Sequence, residues 1–149
     1  MSHSQIVREF IRNNLDGEPD PDAIPRMSRM LLVDKTIKDI NIKDSDFYGY
    51  TALHYQAQYG TTRSVAWLLI QKPPPEIDIR SSGQWTPLMA AAASDTDPEG
   101  NVRLLIEYGA DRDLVNVNGW TALSWARSYN KNPAAVIDLL ENYRPDVSR

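Results

Sequence analysis

Histidine is the side chain that most often does acid–base or metal chemistry near neutral pH, and this sequence of 149 residues has two, His3 and His54. It has no cysteine, which excludes thiolate nucleophiles, thiolate metal sites and disulfide bonds. The phosphate-binding loop, the nucleophile elbow and the zinc-binding histidine pair of known enzymes are also missing from the sequence. The sequence therefore predicts no catalytic residue, no metal site and no cofactor.

Carboxylates are the other groups that could do chemistry, and they concentrate in two acidic segments. Residues 16–22 resemble the start of a calcium-binding loop, which needs glycine at its sixth place and glutamate at its twelfth. Those places hold Pro21 and Met27, and residues 95–99 also lack the spacing. We expect both segments to be solvated turns at one edge of the fold. The alternative is an acidic edge that steers a basic partner.

The overall charge argues against nucleic acid as a partner. Sixteen Lys and Arg are scattered among twenty Asp and Glu, for a net charge of -4 and a pI of about 5.1. No window approaches the roughly 18 consecutive apolar residues of a membrane span, and charges interrupt the apolar stretch at the N-terminus. We therefore expect no membrane contact, and a location in the cytoplasm, the nucleus or both.

The elements that would position any site repeat along the chain. Thr51, Thr86 and Thr121 are spaced by 35 residues, and a leucine follows two places after each of them. Each threonine is well placed to cap a helix, and Pro87 fits a first helical turn because its missing N–H costs nothing there. A polar turn and a second helix with a leucine pair follow each time. Such a helix pair cannot bury its apolar face alone, so we expect the pairs to stack.

These segments resemble the ankyrin repeat, whose pattern runs D-x-x-G-x-T-P-L-H, then A-A and a Gly turn, then a Leu run and G-A-D. The matching residues are Asp46, Gly49, Thr51, Leu53, His54 and Gly60; Thr86, Pro87, Leu88, Ala91, Ala92, Gly109, Ala110 and Asp111; and Gly119, Thr121, Leu123 and Ala126. The resemblance implies an all-α solenoid of helix-turn-helix repeats joined by β-hairpin-like fingers. It also implies that His54 bonds backbone and the threonine hydroxyl, tying neighbouring repeats together.

We expect one domain over residues 1–149. Its parts are a degenerate N-terminal capping repeat (4–45), two repeats (46–80 and 81–115) and a C-terminal repeat or cap (116–149).

The copies also depart from the family pattern of about 33 residues. The extra residues are expected after the second helix of the first repeat, at Pro73–Pro75, and between the two helices of the later repeats. The proline run is interpreted as a stiff connector, or alternatively as a docking site for a proline-recognition domain. In the second finger Gly83 comes one place early, so we expect a different turn there.

The aromatic residues concentrate on one predicted surface, formed by the fingers and the first helices of the repeats. Of four Trp, seven Tyr and two Phe, nine fall on the fingers or on the first helix of a repeat. The predicted partner-binding residues are Phe47, Tyr48, Tyr50, Tyr59, Trp85, Val117, Asn118, Trp120 and Tyr129. For Tyr50, Trp85 and Trp120, stacking along the row of fingers is an equal alternative to partner contact. Tyr55 and Trp125 are expected to pack between repeats.

The resemblance implies a protein-interaction module: an adaptor, inhibitor or assembly factor that binds a folded partner through its concave face and fingertips and is monomeric when free. A permanent structural subunit of a larger complex is the alternative. An enzyme or ligand sensor is the third possibility, and it would need a deep polar pocket.

Overall fold

The computed structural model describes residues 40, 41, 43 and 48–145. His3 and most of the predicted repeat 4–45, with its acidic segment 16–22, therefore lie outside the described residues. The described part forms six α-helices: α1 (Ala52–Tyr59), α2 (Thr62–Leu69), α3 (Pro87–Ala92), α4 (Pro98–Glu107), α5 (Ala122–Tyr129) and α6 (Pro133–Asn142). These helices confirm the predicted all-α class.

Each repeat begins its first helix at a capping threonine. The hydroxyl oxygens of Thr51, Thr86 and Thr121 accept the backbone N–H three residues further on, which satisfies one of the donors that a helix start leaves unpaired. Pro87 stands in the first turn of α3. The capping prediction is therefore confirmed in all three described repeats.

The helices stack in two layers. The inner helices α1, α3 and α5 contact each other in series, and so do the outer helices α2, α4 and α6. Small side chains let the inner helices approach closely, since Ala90, Ala91 and Ala92 are fully buried at the centre of the stack. Between the layers lie the buried aliphatic side chains Leu53, Val65, Leu68, Leu88, Val102, Leu105 and Val136.

Side-chain amides tie each repeat to the next. The Asn101 Nδ2 at the start of α4 donates to the Ala57 and Gly60 carbonyl oxygens, both at 3.1 Å. The Asn130 Nδ2 donates in the same way to the Ala92 carbonyl at 3.2 Å. These carbonyls lie at helix ends, where no later turn of the same helix can bond them.

The loops between inner and outer helices differ in length. The loop is residues 60–61 in the first repeat, but 93–97 in the second and 130–132 in the third, as predicted for the extra residues. Within the longest loop, the Asp97 Oδ2 accepts from the Thr62 backbone N–H at 3.1 Å and from the Thr62 hydroxyl at 2.6 Å. The expectation of a solvated acidic turn was therefore wrong for Asp97, which links two repeats.

The fingers also bond one another. The Ser82 N–H donates to the Tyr48 carbonyl at 2.8 Å, and the Val117 N–H donates to the Gly83 carbonyl at 3.2 Å. Gly49, Gln84 and Gly119 occupy equivalent places, and all three have a left-handed backbone, with φ of 67°, 65° and 77°. The expected difference in the second turn was wrong, because Gln84 adopts the conformation that glycine has in the other fingers.

Replacing Gln84 should test the cost of that conformation. A residue with a Cβ is strained at positive φ, so we expect Gln84→Gly to raise the free energy of unfolding by about 1 kcal/mol in urea titrations. Gln84→Ala is the matched control and should leave stability unchanged, because alanine keeps the Cβ. Equal stabilisation by both variants would contradict the conformational explanation.

Arg112 caps the C-terminal end of α6. Its guanidinium Nη1 donates to the carbonyl oxygens of Tyr143, Leu139 and Leu140, at 2.6, 3.2 and 3.4 Å. A cation at a helix C-terminus also complements the partial negative charge of the unpaired carbonyl groups. The end of α6 is thus held by a residue that precedes α5 in the chain.

We expect Arg112→Ala to lower the free energy of unfolding by about 1 to 2 kcal/mol, because three hydrogen bonds from a charged donor to carbonyl oxygens at the end of α6 are lost. The control is Lys131→Ala, which removes an exposed ion pair with Asp95 at 4.0 Å and should cost almost nothing. Urea denaturation measures both variants, and equal losses would exclude a special role for Arg112.

Candidate functional site

Three aromatic rings cluster around Trp125 on α5. Ring centroids of Trp85, Trp120 and Tyr129 lie 4.2, 4.7 and 5.1 Å from that of Trp125. The cluster joins the second and third fingers to the third inner helix. Trp85 and Trp120 are half-buried by these contacts, whereas Tyr129 remains 59% exposed.

Trp125 is the residue whose importance sequence reasoning understated. It packs between repeats as expected, since its ring meets Trp85 of the preceding repeat. Its central place among the other rings was not predicted. The available signal was its spacing from Tyr55, which lies two repeats earlier at the same place in α1.

Tyr50 belongs to the packed interior. It is 5% exposed, stacks on His54 at 5.0 Å between centroids and meets the edge of Tyr55 at 5.3 Å. Its hydroxyl donates to the Gln58 Oε1 at 2.7 Å. These contacts favour the stacking alternative for Tyr50.

A groove of about 280 Å³ lies between α1 and the second finger. Tyr48, Tyr59 and Trp85 form walls, and the remaining lining residues are Tyr50, Gln58, Ser81 and Gly83. Sequence reasoning missed Gln58 and Ser81, because neither residue recurs at the same place in the other repeats.

The phenol groups of the groove influence one another. Burial raises the pKa of Tyr50 well above its usual value, and the neighbouring phenols of Tyr59 and Tyr48 raise it further. Burial, and then Tyr48, likewise raise the pKa of Tyr59. The hydroxyl groups of Tyr50 and Tyr59 are therefore neutral at physiological pH.

Tyr48 stands out at the mouth of the groove. It is 71% exposed and has a φ of 54°, a left-handed conformation that bulky residues rarely adopt. Its counterparts Gly83 and Asn118 are not left-handed. Backbone strain of this kind concentrates at functional positions.

The other predicted contacts lie at the tip of the third finger or beyond the described residues. Val117 is 68% exposed and Asn118 is also exposed, and neither side chain lines the groove. Phe47 lies outside the described residues. The structure thus gathers Tyr48, Tyr59 and Trp85 at one place, with Trp120 and Tyr129 beside them. We call these five residues and Trp125 the aromatic face.

The chain matches the family model described as ankyrin repeats in three copies, over residues 2–111 and again over 53–149. The chain belongs to the ankyrin-repeat family. Ankyrin repeats are in general protein-interaction modules.

Curated relatives share the repeats within much longer proteins. The chain is 34% identical over 105 residues to glycerophosphocholine phosphodiesterase GDE1 of Candida albicans, which covers 68% of this chain and 8% of that protein. It is 36% identical over 104 residues to neurogenic locus notch homolog protein 1 of Danio rerio and of Homo sapiens, which covers 70% of this chain and 4% of each relative. The chain therefore spans less than a tenth of the length of these relatives.

The ankyrin-motif histidine bonds as predicted. The His54 Nδ1 lies 3.0 Å from the Thr51 hydroxyl and accepts the Thr51 backbone N–H at 3.2 Å. The Nε2 lies 2.8 Å from the Trp85 carbonyl oxygen, which can only accept, so the neutral ring carries its hydrogen on Nε2. His54 therefore ties the first repeat to the second finger.

The surroundings of His54 disfavour its charged form. Burial lowers the pKa of His54 to about 4, and the charge of Lys43 contributes in the same direction, although the Trp85 and Ile79 carbonyl groups oppose it. A proton on Nδ1 would also remove the acceptor of the Thr51 N–H. His54 is therefore a structural group in this ankyrin array.

The inner ankyrin helices carry almost no charge. Within α1, α3 and α5 the charged side chain is Arg127, and it pairs with Glu141 at 2.6 Å. Among the residues that the structure describes, no three His, Asp or Glu side chains gather as metal ligands. No helix in the same part of the chain is long and apolar enough to cross a membrane.

Because the native pKa of His54 is about 4 and the unfolded value is near 6.5, the unfolded chain binds the proton first as pH falls. The preference of the folded protein for neutral His54 therefore adds to the free energy of unfolding in full above pH 6.5. This contribution, about 3 kcal/mol in all, is lost as the pH falls from 6.5 to 4. Urea unfolding at pH 7 and pH 4.5 should show a smaller loss for His54→Gln than for the wild type. Equal losses of stability in the wild type and in His54→Gln would contradict the assignment of this pH dependence to His54.

Proposed function

We propose that this ankyrin array is a non-catalytic interaction module that binds a folded protein partner through its aromatic face and fingertips. The observation that carries the proposal is the gathering of Tyr48, Trp85 and Tyr129 beside a groove whose described lining residues are uncharged. The cytoplasmic or nuclear location and the monomeric free state remain predictions from the sequence.

Aromatic residues suit this role for a physical reason. Tyr and Trp bury a large area with few rotatable bonds, and such residues dominate the binding energy of protein interfaces. The half-buried rings of Trp85 and Trp120 are already fixed by Trp125, so little side-chain entropy remains to be lost on binding. Stacking and partner contact are therefore compatible for these two residues.

A permanent structural subunit is the second candidate. Ile70 and Tyr108, at the ends of the outer helices α2 and α4, are 60% and 48% exposed. Obligate interfaces are larger and more apolar than transient ones, and these residues would extend the contact beyond the aromatic face. A chain that stays monomeric and soluble on size-exclusion chromatography would argue against this candidate.

The test replaces exposed rings that contribute little to the core. We expect a Tyr48→Ser, Tyr129→Ser double variant to lose cross-linked partners at least tenfold, because two exposed anchors are removed. The measurement is affinity purification with cross-linking, quantified against the wild type. Circular dichroism should show an unchanged helical content.

The matched control is Tyr108→Ser, which removes an equally polar ring from the end of an outer helix. It should keep the partners of the wild type. Full retention by the double variant would refute the aromatic face as the binding surface, and loss by Tyr108→Ser alone would move the interface to the outer helices.

A further inference from the structure

We propose that the groove between Tyr59 and Trp85 binds a proline-rich segment of the partner in the polyproline II conformation. This inference rests on the proposed function, since it names the chemistry of the segment that the aromatic face takes.

The walls of the groove suit pyrrolidine rings. Tyr48, Tyr59 and Trp85 present aromatic rings from two fingers and one helix, and none of the described residues that line the groove is charged. Polyproline II segments dock on aromatic-lined grooves, because their conformation exists before binding and little entropy is lost. An uncharged groove imposes no cost of burying an unpaired charge under such a segment.

The hydrogen-bonding groups of the groove favour a ligand that accepts hydrogen bonds and does not donate them. The Gln58 Oε1 already accepts from Tyr50, and the Ser81 Oγ accepts the Trp85 backbone N–H at 3.1 Å. The Gly83 carbonyl already accepts from the third finger. These three acceptors of the lining are therefore engaged within the protein, whereas the Tyr59 hydroxyl can either donate or accept.

The donors remain available. No residue in the described part of the chain accepts a hydrogen bond from the Gln58 Nε2 or the Trp85 Nε1, and the indole N–H can only donate. Proline has no N–H, and the polyproline II conformation leaves every carbonyl group free. A proline-rich segment thus satisfies these two donors without bringing amide hydrogens that need acceptors.

The early glycine of the second finger fits the same explanation. A Cβ at Gly83 would lie 3.4 Å from the Trp85 Cδ1 and 3.7 Å from its Nε1, so any larger side chain would cover the donating edge of the indole. Gly83 does not have a left-handed backbone, and Gln84 beside it does. The glycine therefore keeps the indole accessible and is not required by the turn.

The experiment titrates the full chain with a decaproline peptide and observes the indole N–H signals by NMR. We expect the Trp85 signal to shift in a saturable manner, and a Gly-Ser decapeptide of equal length to leave it unchanged. Trp85→Phe keeps a ring but removes the donor, and should weaken binding about three- to tenfold. Gly83→Val should weaken it further, because the added methyl groups cover the groove.

The matched control is Trp67→Phe, the same replacement on the outer helix α2, which should bind decaproline like the wild type. Undiminished binding by Trp85→Phe, or no shift of the Trp85 signal, would overturn the inference. Saturable binding of tetramethylammonium without decaproline would assign the groove to cations instead. A dimer seen by sedimentation that Trp85→Phe dissociates would assign it to a second copy of the chain.

The experiments can reject either of the two proposals without rejecting the other. If the Tyr48→Ser, Tyr129→Ser variant loses its protein partner while decaproline does not bind the wild type, the aromatic face stands and the proline preference is wrong. If decaproline binds and the double variant keeps every partner, the groove takes prolines but is not the main interface.

Discussion

The close approach of three inner helices is the constraint on which the other features of this structure depend. Ala90, Ala91 and Ala92 have no exposed surface, because α3 is covered by α1 on one side and α5 on the other. Larger side chains would separate the helices, since a packed interior has no space to absorb them. The Asn101 and Asn130 amides would then no longer reach the carbonyls of the preceding repeat.

The same small residues explain where the aromatic rings lie. At the place where α1 has Tyr55 and α5 has Trp125, α3 has Ala90. Where those helices end with Tyr59 and Tyr129, the second repeat has Ser94. Because the central repeat contributes no ring of its own from its inner helix, the Trp85 finger side chain meets Trp125 of the next repeat. The groove opens on the other side of that indole, towards Tyr59.

Features within one repeat could be predicted from the sequence, and most contacts between repeats could not. The caps at Thr51, Thr86 and Thr121 depend on a residue three places away, and the bonds of His54 follow from a motif that recurs with fixed geometry. The Thr62–Asp97 link depends on a loop whose length changes between repeats. Nothing in the repeat pattern identifies such a pair.

The conformation of the second finger shows a different limit of prediction from sequence. Glycine is the usual sign of a left-handed residue, so its absence at position 84 suggested a different turn. The bonds from finger to finger outweigh that local preference, because the Ser82 and Val117 amides fix the finger from both sides. The candidate face was predicted from residue type and from position in the repeat, whereas the groove required knowing that Gln58 and Ser81 line the same space as Trp85.

The net charge of this protein and the residues of the proposed contact surface are largely separate. The chain has a net charge of -4, yet the described inner helices α1, α3 and α5 contribute a single ion pair, Arg127 with Glu141. Long-range attraction between proteins depends on net charge, whereas the free energy of a close contact depends on what is desolvated. A neutral aromatic surface on an acidic protein therefore avoids the cost of burying charge, while the acidic residues elsewhere still act at a distance. The left-handed backbone of Tyr48 belongs to the proposed contact surface, where it holds an exposed ring at the mouth of the groove.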